Sequence, residues 1–145
     1  MNETKTSINE LNAFLKGEYM AIDSYEHYIR IASNKSIKTL LQDIQNDHKN
    51  HALSVSDRIN LLGGNPVTDV GVPGKVSEFI SNLKHMNNTQ DIDILKEALS
   101  GESKGIKMAE EIVKGDLDFV SAKLISNILS VDKNHLAKLE KNISH

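Results

Sequence analysis

The chain has 145 residues, 39% of them hydrophobic and 26% charged, with a formal net charge of -3; this fits one soluble globular domain with room for a core. Its mixed charges lack the basic patch of a nucleic-acid binder. Without Cys, disulfides, thiolate metal sites and Cys nucleophiles are excluded. No apolar run approaches the roughly 18 residues of a membrane span, and the polar start, Met1 to Ser7, lacks a signal-peptide core. A cytoplasmic protein is expected, with neither nucleic acid nor membrane as partner.

Ser7 and Glu10 form a capping box that predicts a helix from there to about Ile31. Its seam, Ile8, Leu11, Leu15, Ile22, Tyr25, Ile29, steps by threes and fours, the spacing of a bundle. Glu18 is the one seam position wrong for a core. A turn at Ser33-Asn34-Lys35 leads to a second helix, from about Ser36 to Leu62. Its seam reads Ile37, Leu41, Ile44, His48, His51, Val55, Ile59, Leu62, so both imidazoles lie on it. Gly63-Gly64 ends it. Both prolines, Pro66 and Pro73, fall in the non-helical stretch that follows, and Val76 to about Met86 could form a short amphipathic helix. The stretch 63–88 is read as a crossover that runs back along the bundle. Asn88-Thr89 opens a third helix, to about Lys114, with seam Leu95, Leu99, Glu102, Ile106, Ala109, Val113. After Gly115-Asp116 a fourth runs from about Leu117 to Asn142, with seam Leu124, Ile128, Asp132, His135, Leu139.

Lys49-Asn50-His51 recurs as Lys133-Asn134-His135, 84 residues on. At the same shift, without a gap, Leu11 aligns with Leu95, Leu15 with Leu99, Gly17 with Gly101, Glu18 with Glu102 and Ile44 with Ile128. The shift is a whole number of heptads, so the seams keep phase. The expected architecture is all-α: an antiparallel four-helix bundle of two pseudo-two-fold hairpins, 7–62 and 89–143, forming one domain over residues 1–145.

In such hairpins Glu18 lies level with His48 and His51, and Glu102 level with Asp132 and His135. Unpaired buried carboxylates are costly and repel one another, and a divalent ion offsets both effects. Glu18, His48, His51, Glu102, Asp132 and His135 are therefore the expected metal ligands, with Asp47, at i−4 from His51, as an alternative. A polar layer held by hydrogen bonds alone is the competing reading.

This pattern resembles the ferritin-like superfamily of di-iron carboxylate bundles, bacterioferritins and rubrerythrins among them, and most closely its small bacterial four-helix members. The resemblance covers nearly the whole chain. Glu18 and Glu102 match the single carboxylates of the first and third helices, and Asp132-x-x-His135 matches the Glu-x-x-His of the fourth. Gly63-Gly64-Asn65-Pro66 resembles a bacterial branch of such bundles. The second helix departs from the pattern, because His48 stands where the family has a carboxylate that usually bridges two metals. The resemblance implies a di-iron oxidoreductase, of ferroxidase or peroxidase type, acting with oxygen or peroxide. The departure at His48 leaves zinc or manganese open as the metal, and a non-catalytic metal-binding or stress-related bundle as the alternative.

Other residues carry two readings each. Tyr25 is a core residue or, as in some family members, a one-electron donor near the metal. Gly17 and Gly101 mark close backbone approach or room for a small molecule. Glu26 and Glu110 are supporting carboxylates or solvated flanks. Met20 faces away from the seam and Met108 has no assigned role, so haem binding is not expected. A fused rubredoxin relay needs Cys, and cage storage is not expected without a fifth helix. His27, His85 and His145 are placed outside the site. Phe14, Ile31 and Phe119, apolar and off the seams, allow a homodimer.

Overall fold

A computed structural model describes residues 2–69 and 90–144. Four helices are present among them: α1 (Asn2–Ile31), α2 (Lys35–Leu61), α3 (Asp91–Lys114) and α4 (Phe119–Ile143). The expected short helix within Val76–Met86, the start at Asn88-Thr89, Pro73, His85 and His145 lie outside the described residues. No strand occurs among those described, and no helix there is long and apolar enough to cross a membrane.

Caps and glycines set the ends. Asn34 caps α2, its side-chain oxygen accepting from the Ser36 and Ile37 amides at 2.8 and 3.2 Å. At the other end of α2, Gly63 takes φ of +87°, the left-handed conformation glycine adopts without a Cβ penalty. The Gly64 amide then donates to the Ile59 carbonyl at 2.9 Å. A Cβ on Gly64 would lie 2.7 Å from Ile8 Cγ2, so the chain also turns tightly against α1 here. One boundary differs from expectation: α1 begins at Asn2, five residues before Ser7. Ser7 is no cap. Its buried hydroxyl accepts from the Asp118 amide at 2.9 Å, a contact 111 residues away that local pattern cannot show.

Neighbouring helices run antiparallel. The α1–α2 turn is tied to the start of α3, where the Asp91 carboxylate accepts from the Ser33 and Asn34 amides at 2.9 and 2.8 Å. At the opposite end Arg58 of α2 donates to Asp118, which caps α4, at 2.8 Å, and to Ser121 Oγ at 3.0 Å. The end of α2 and the start of α3 therefore sit at opposite ends of the bundle.

The core divides into two apolar clusters. One gathers Leu11, Phe14 and Leu15 with Val55, Ile59 and Ile125. The other gathers Tyr25 and Tyr28 with Leu41, Ile44, Ile94 and Leu139. Burying each large side chain contributes roughly 1.5–3 kcal/mol. Along every helix the polar seam residues fall between these clusters. Phe14 is corrected: it is only 4% exposed and belongs to the first cluster, because α1 inserts two adjacent faces, 14 and 15, between its neighbours. Ile31 is half-buried, packed beside the second cluster, and Phe119 stands 82% exposed. On α4, Ile125 rather than Leu124 is the fully buried position.

Candidate metal centre

Six ionisable side chains meet in the layer between the clusters. Glu18 comes from α1, His48 and His51 from α2, Glu102 from α3, Asp132 and His135 from α4, and all six are buried. The i, i+3 spacing within α2 and within α4 turns both members of each pair to the seam. No Lys or Arg bonds to the layer among the described residues.

The contacts divide into two halves that share His48. Its Nδ1 lies 2.9 Å from Glu18 Oε2 and its Nε2 lies 2.6 Å from Glu102 Oε1. His51 Nδ1 stands 3.7 Å from both Glu18 Oε2 and Asp132 Oδ1. His135 Nδ1 stands 3.4 Å from Glu102 Oε1 and 3.5 Å from Asp132 Oδ1. One donor atom each from His48, Glu102, Asp132 and His135 fall within 4.8 Å of one another, and the same holds for Glu18, His48 and His51. His51 Nδ1, Asp132 Oδ1 and His135 Nδ1 are buried without a hydrogen-bond partner. Such groups are costly unless something satisfies them.

Protonation follows from this geometry. Burial opposes charge on His48, but its bonds to Glu102 and Glu18 outweigh that and hold the ring well above its ordinary value. A ring that donates at both nitrogens is an imidazolium. Burial likewise pushes Glu18 and Glu102 up. The bond from His48 and the nearby His51 ring bring Glu18 below its usual range, and the His135 ring beside Glu102, with the bond from His48, brings Glu102 down to about 2. Asp132 has no such donor. Burial pushes it up to about 7, with Glu18 and Glu102 adding and His48 and His51 opposing.

Asp47 lies at the edge of the layer rather than in it. Its Oδ2 is 2.8 Å from His135 Nε2. With Nε2–H donating outward to Asp47, Nδ1 is the ring nitrogen that faces Asp132 and Glu102. Carboxylates that orient metal-binding histidines in this way raise ligand basicity. Sequence spacing relates Asp47 to His51, whereas the tertiary partner is His135 on another helix.

Tyr25 is buried and donates from its hydroxyl to Glu102 Oε1 at 2.7 Å, with its ring stacked on His48 at 5.6 Å. Burial, with the Glu102 charge adding, holds its phenol well above 10. Glu26 and Glu110 take the flanking role. Glu26 accepts from Gln45 at 3.2 Å and pairs with Arg30, and Glu110 lies 3.8 Å from Lys133 at the surface. Sequence reasoning missed Gln45, a buried amide that also donates to the Ile22 carbonyl at 3.1 Å.

A cavity of about 240 Å³ lies between α1 and α3, against the layer. Glu18, Tyr25, His48, Glu102 and Asp132 border it on the buried side. Gly17, Gly101 and Gly105 line its walls, as do Met20 and Met108. The two methionines escaped a seam-based reading because the cavity lies off the four-helix seam. Glycine within a helix is destabilising by roughly 0.5–1 kcal/mol relative to alanine, so its use here calls for a spatial reason.

Four antiparallel helices and a buried layer of acids and imidazoles define a four-helix bundle of the ferritin-like fold. Within it, the chain belongs to the DUF2383 family, described as a domain of unknown function, whose profile matches residues 6–115. Comparison with curated proteins finds no match. Among solved structures, the fold is similar to a dodecameric thioferritin, the bacterioferritin-related protein of Bacteroides fragilis. That likeness has 22% identity and a TM-score of 0.78, over 97% of this chain and 86% of the other. A ferritin-like di-iron-carboxylate protein of Bacillus anthracis is similar at 23% identity and a TM-score of 0.74, over 99% of both chains. Rhodobacter capsulatus bacterioferritin is similar at 21% identity and a TM-score of 0.73, over 97% of this chain and 84% of the other. At these identities the likeness speaks for the fold.

Proposed function

We propose that the layer holds a pair of metal ions, iron foremost, and that the protein is an oxidoreductase of ferroxidase or peroxidase type. The observation that carries this is the convergence of three unpartnered buried donors, His51 Nδ1, Asp132 Oδ1 and His135 Nδ1, within 3.5 to 3.7 Å of one another's residues. Three carboxylates and three imidazoles suit iron, with manganese or zinc as competitors.

The residues divide the work. Glu18 and His51 would hold one ion, and Glu102 and His135 the other. Asp132 Oδ1 lies between the two histidines, so its carboxylate would be a ligand shared by both halves of the layer. His48 cannot replace a bridging carboxylate in kind, because a neutral imidazole offers one lone pair and serves one ion. To bind it must first give up the proton that its bonds to Glu18 and Glu102 hold. Asp47 keeps His135 in the binding tautomer. Bound iron would supply electrons to oxygen or peroxide. Tyr25 anchors Glu102 and is the candidate one-electron donor, with Glu102 Oε1 placed to accept the phenolic proton.

Anaerobic loading with Fe(II), metal counting and then oxygen uptake test this reading. The expected result is close to two irons per chain and oxygen uptake that Glu102→Ala abolishes with the fold intact. Less than about 0.2 metal per chain after loading would sink it, since sites of this donor set bind well below the millimolar range. One observation favours a second reading. His48 as an imidazolium satisfies Glu18 and Glu102 by itself, which suits a hydrogen-bonded or structural layer without redox chemistry. In that case Glu102→Ala lowers stability and no oxygen uptake occurs at any stage.

A further inference from the structure

The cavity between α1 and α3 is open where tight packing would close it. A Cβ added to Gly101 or Gly105 meets nothing within 4 Å, and one added to Gly17 meets only Met108 Sδ, at 3.9 Å. Close helix approach would place backbone or side chains against these positions. The glycines therefore remove side chains from a space instead of admitting a neighbour into it. Gly101, Lys104, Gly105 and Met108 are exposed among the lining residues, while the layer at the far side is buried, so the space leads from the surface to the acids and imidazoles. There it meets the carboxylate of Asp132, whose side chain is 5% exposed, whose Oδ1 is turned inward between His51 and His135, and which accepts no hydrogen bond among the described residues.

We propose that this cavity binds a small uncharged organic molecule, apolar along its length and carrying one hydrogen-bond donor at the end that reaches Asp132. Size follows from volume. Benzene occupies an apolar cavity of about 150 Å³, so about 240 Å³ suits roughly ten non-hydrogen atoms. Phe14, Ala21, Tyr28 and Ala98 supply apolar and aromatic wall. Charge is disfavoured in both directions. An anionic head would face Glu18, Glu102 and Asp132, and a charge of either sign gives up its hydration in a space walled mostly by apolar side chains. As a statement about substrate this rests on the layer being a metal centre, since the molecule would be the one presented to it; as a statement about binding it does not.

The test uses the full chain, treated with chelator, and 4-ethylphenol as the probe. Titration followed by amide chemical shifts is expected to saturate with a dissociation constant of order 0.1–1 mM, as suits so small a ligand. The shifts should concentrate on residues 14–28 and 98–108. Gly105→Leu fills the space and should weaken binding at least about tenfold while leaving the melting temperature unchanged or higher, because leucine is the better helix former. Gly101→Ala adds a single methyl in open space, so it should fold like the parent and weaken binding less. Charged analogues of the same size, 4-methylbenzoate and 4-methylbenzylammonium, should bind more weakly than the phenol. No saturation by about 5 mM, tighter binding of either charged analogue, or parental affinity in both glycine variants overturns the proposal. Iron content is measured separately on the same protein. A chain that takes 4-ethylphenol but no iron keeps the cavity and loses the metal reading, and the reverse result does the opposite.

Discussion

Replacing Asp47 separates an orienting carboxylate from a metal-binding one. Its Oδ2 accepts from His135 Nε2 at 2.8 Å, while its own side chain is 41% exposed and that of His135 only 1%. Loss of such a partner typically lowers metal affinity 10–100-fold, or about 1.4–2.7 kcal/mol at roughly 1.4 kcal/mol per decade. Asp47→Ala should therefore weaken binding of Co(II), a spectroscopic stand-in for Fe(II), by about that factor. Stability of the metal-free protein should fall by less than about 1 kcal/mol, because water reaches the half-exposed position and takes over the bond. Asp47→Asn retains an acceptor for Nε2–H but not the charge, so it should fall between parent and Ala. Competition titration with a chelator of known affinity reads the binding, and urea unfolding reads the stability. Were Asp47 itself a ligand, Asn would lose nearly as much as Ala. Were His135 not a ligand, neither change would move the affinity. Either result refutes the reasoning.

Three further outcomes are expected. Asp118→Ala removes the cap of α4 and the partner of Arg58, and should cost about 1–2 kcal/mol at pH 7 by urea unfolding. Burial works to raise this carboxyl, but bonds from Ser121, Ser7 and Arg58 hold it well below its usual 3.8. The contribution is thus present above about pH 4 and is lost as pH falls toward the depressed native value, so the gap between parent and variant should narrow at pH 3. Leu15→Ala, at 0% exposure in the cluster below Glu18, should cost about 2–5 kcal/mol. Gly63→Ala should cost about 1 kcal/mol through conformation alone, because φ is +87° and a Cβ there meets nothing within 4 Å.

Much of this protein was legible as period and level. Hydrophobic residues spaced by threes and fours specify a helix face whatever lies opposite, and a short turn between two such helices makes them antiparallel. Those two facts alone set Glu18 level with His48 and His51, and Glu102 level with Asp132 and His135, and the contacts of Glu18 with His48 and His51 at 2.9 and 3.7 Å and of Glu102 with His135 at 3.4 Å agree. The departure at His48 was equally visible, since it is one letter at one seam position. Helix ends were less so: Ser7 fits the capping pattern, yet α1 begins at Asn2, and the Ser7 hydroxyl accepts instead from the Asp118 amide, 111 residues on.

What a side chain touches across the bundle depends on how far apart neighbouring helices stand and how each is rotated, and neither quantity is written in one helix's own spacing. Tertiary structure alone therefore decided that Asp47 serves His135 rather than His51, and that Phe14 lies inside the core. It also decided between the two readings of Gly17 and Gly101, which a sequence leaves equal. A missing side chain brings two helices together or holds a space open between them, and here the distances to the nearest atoms assign the space.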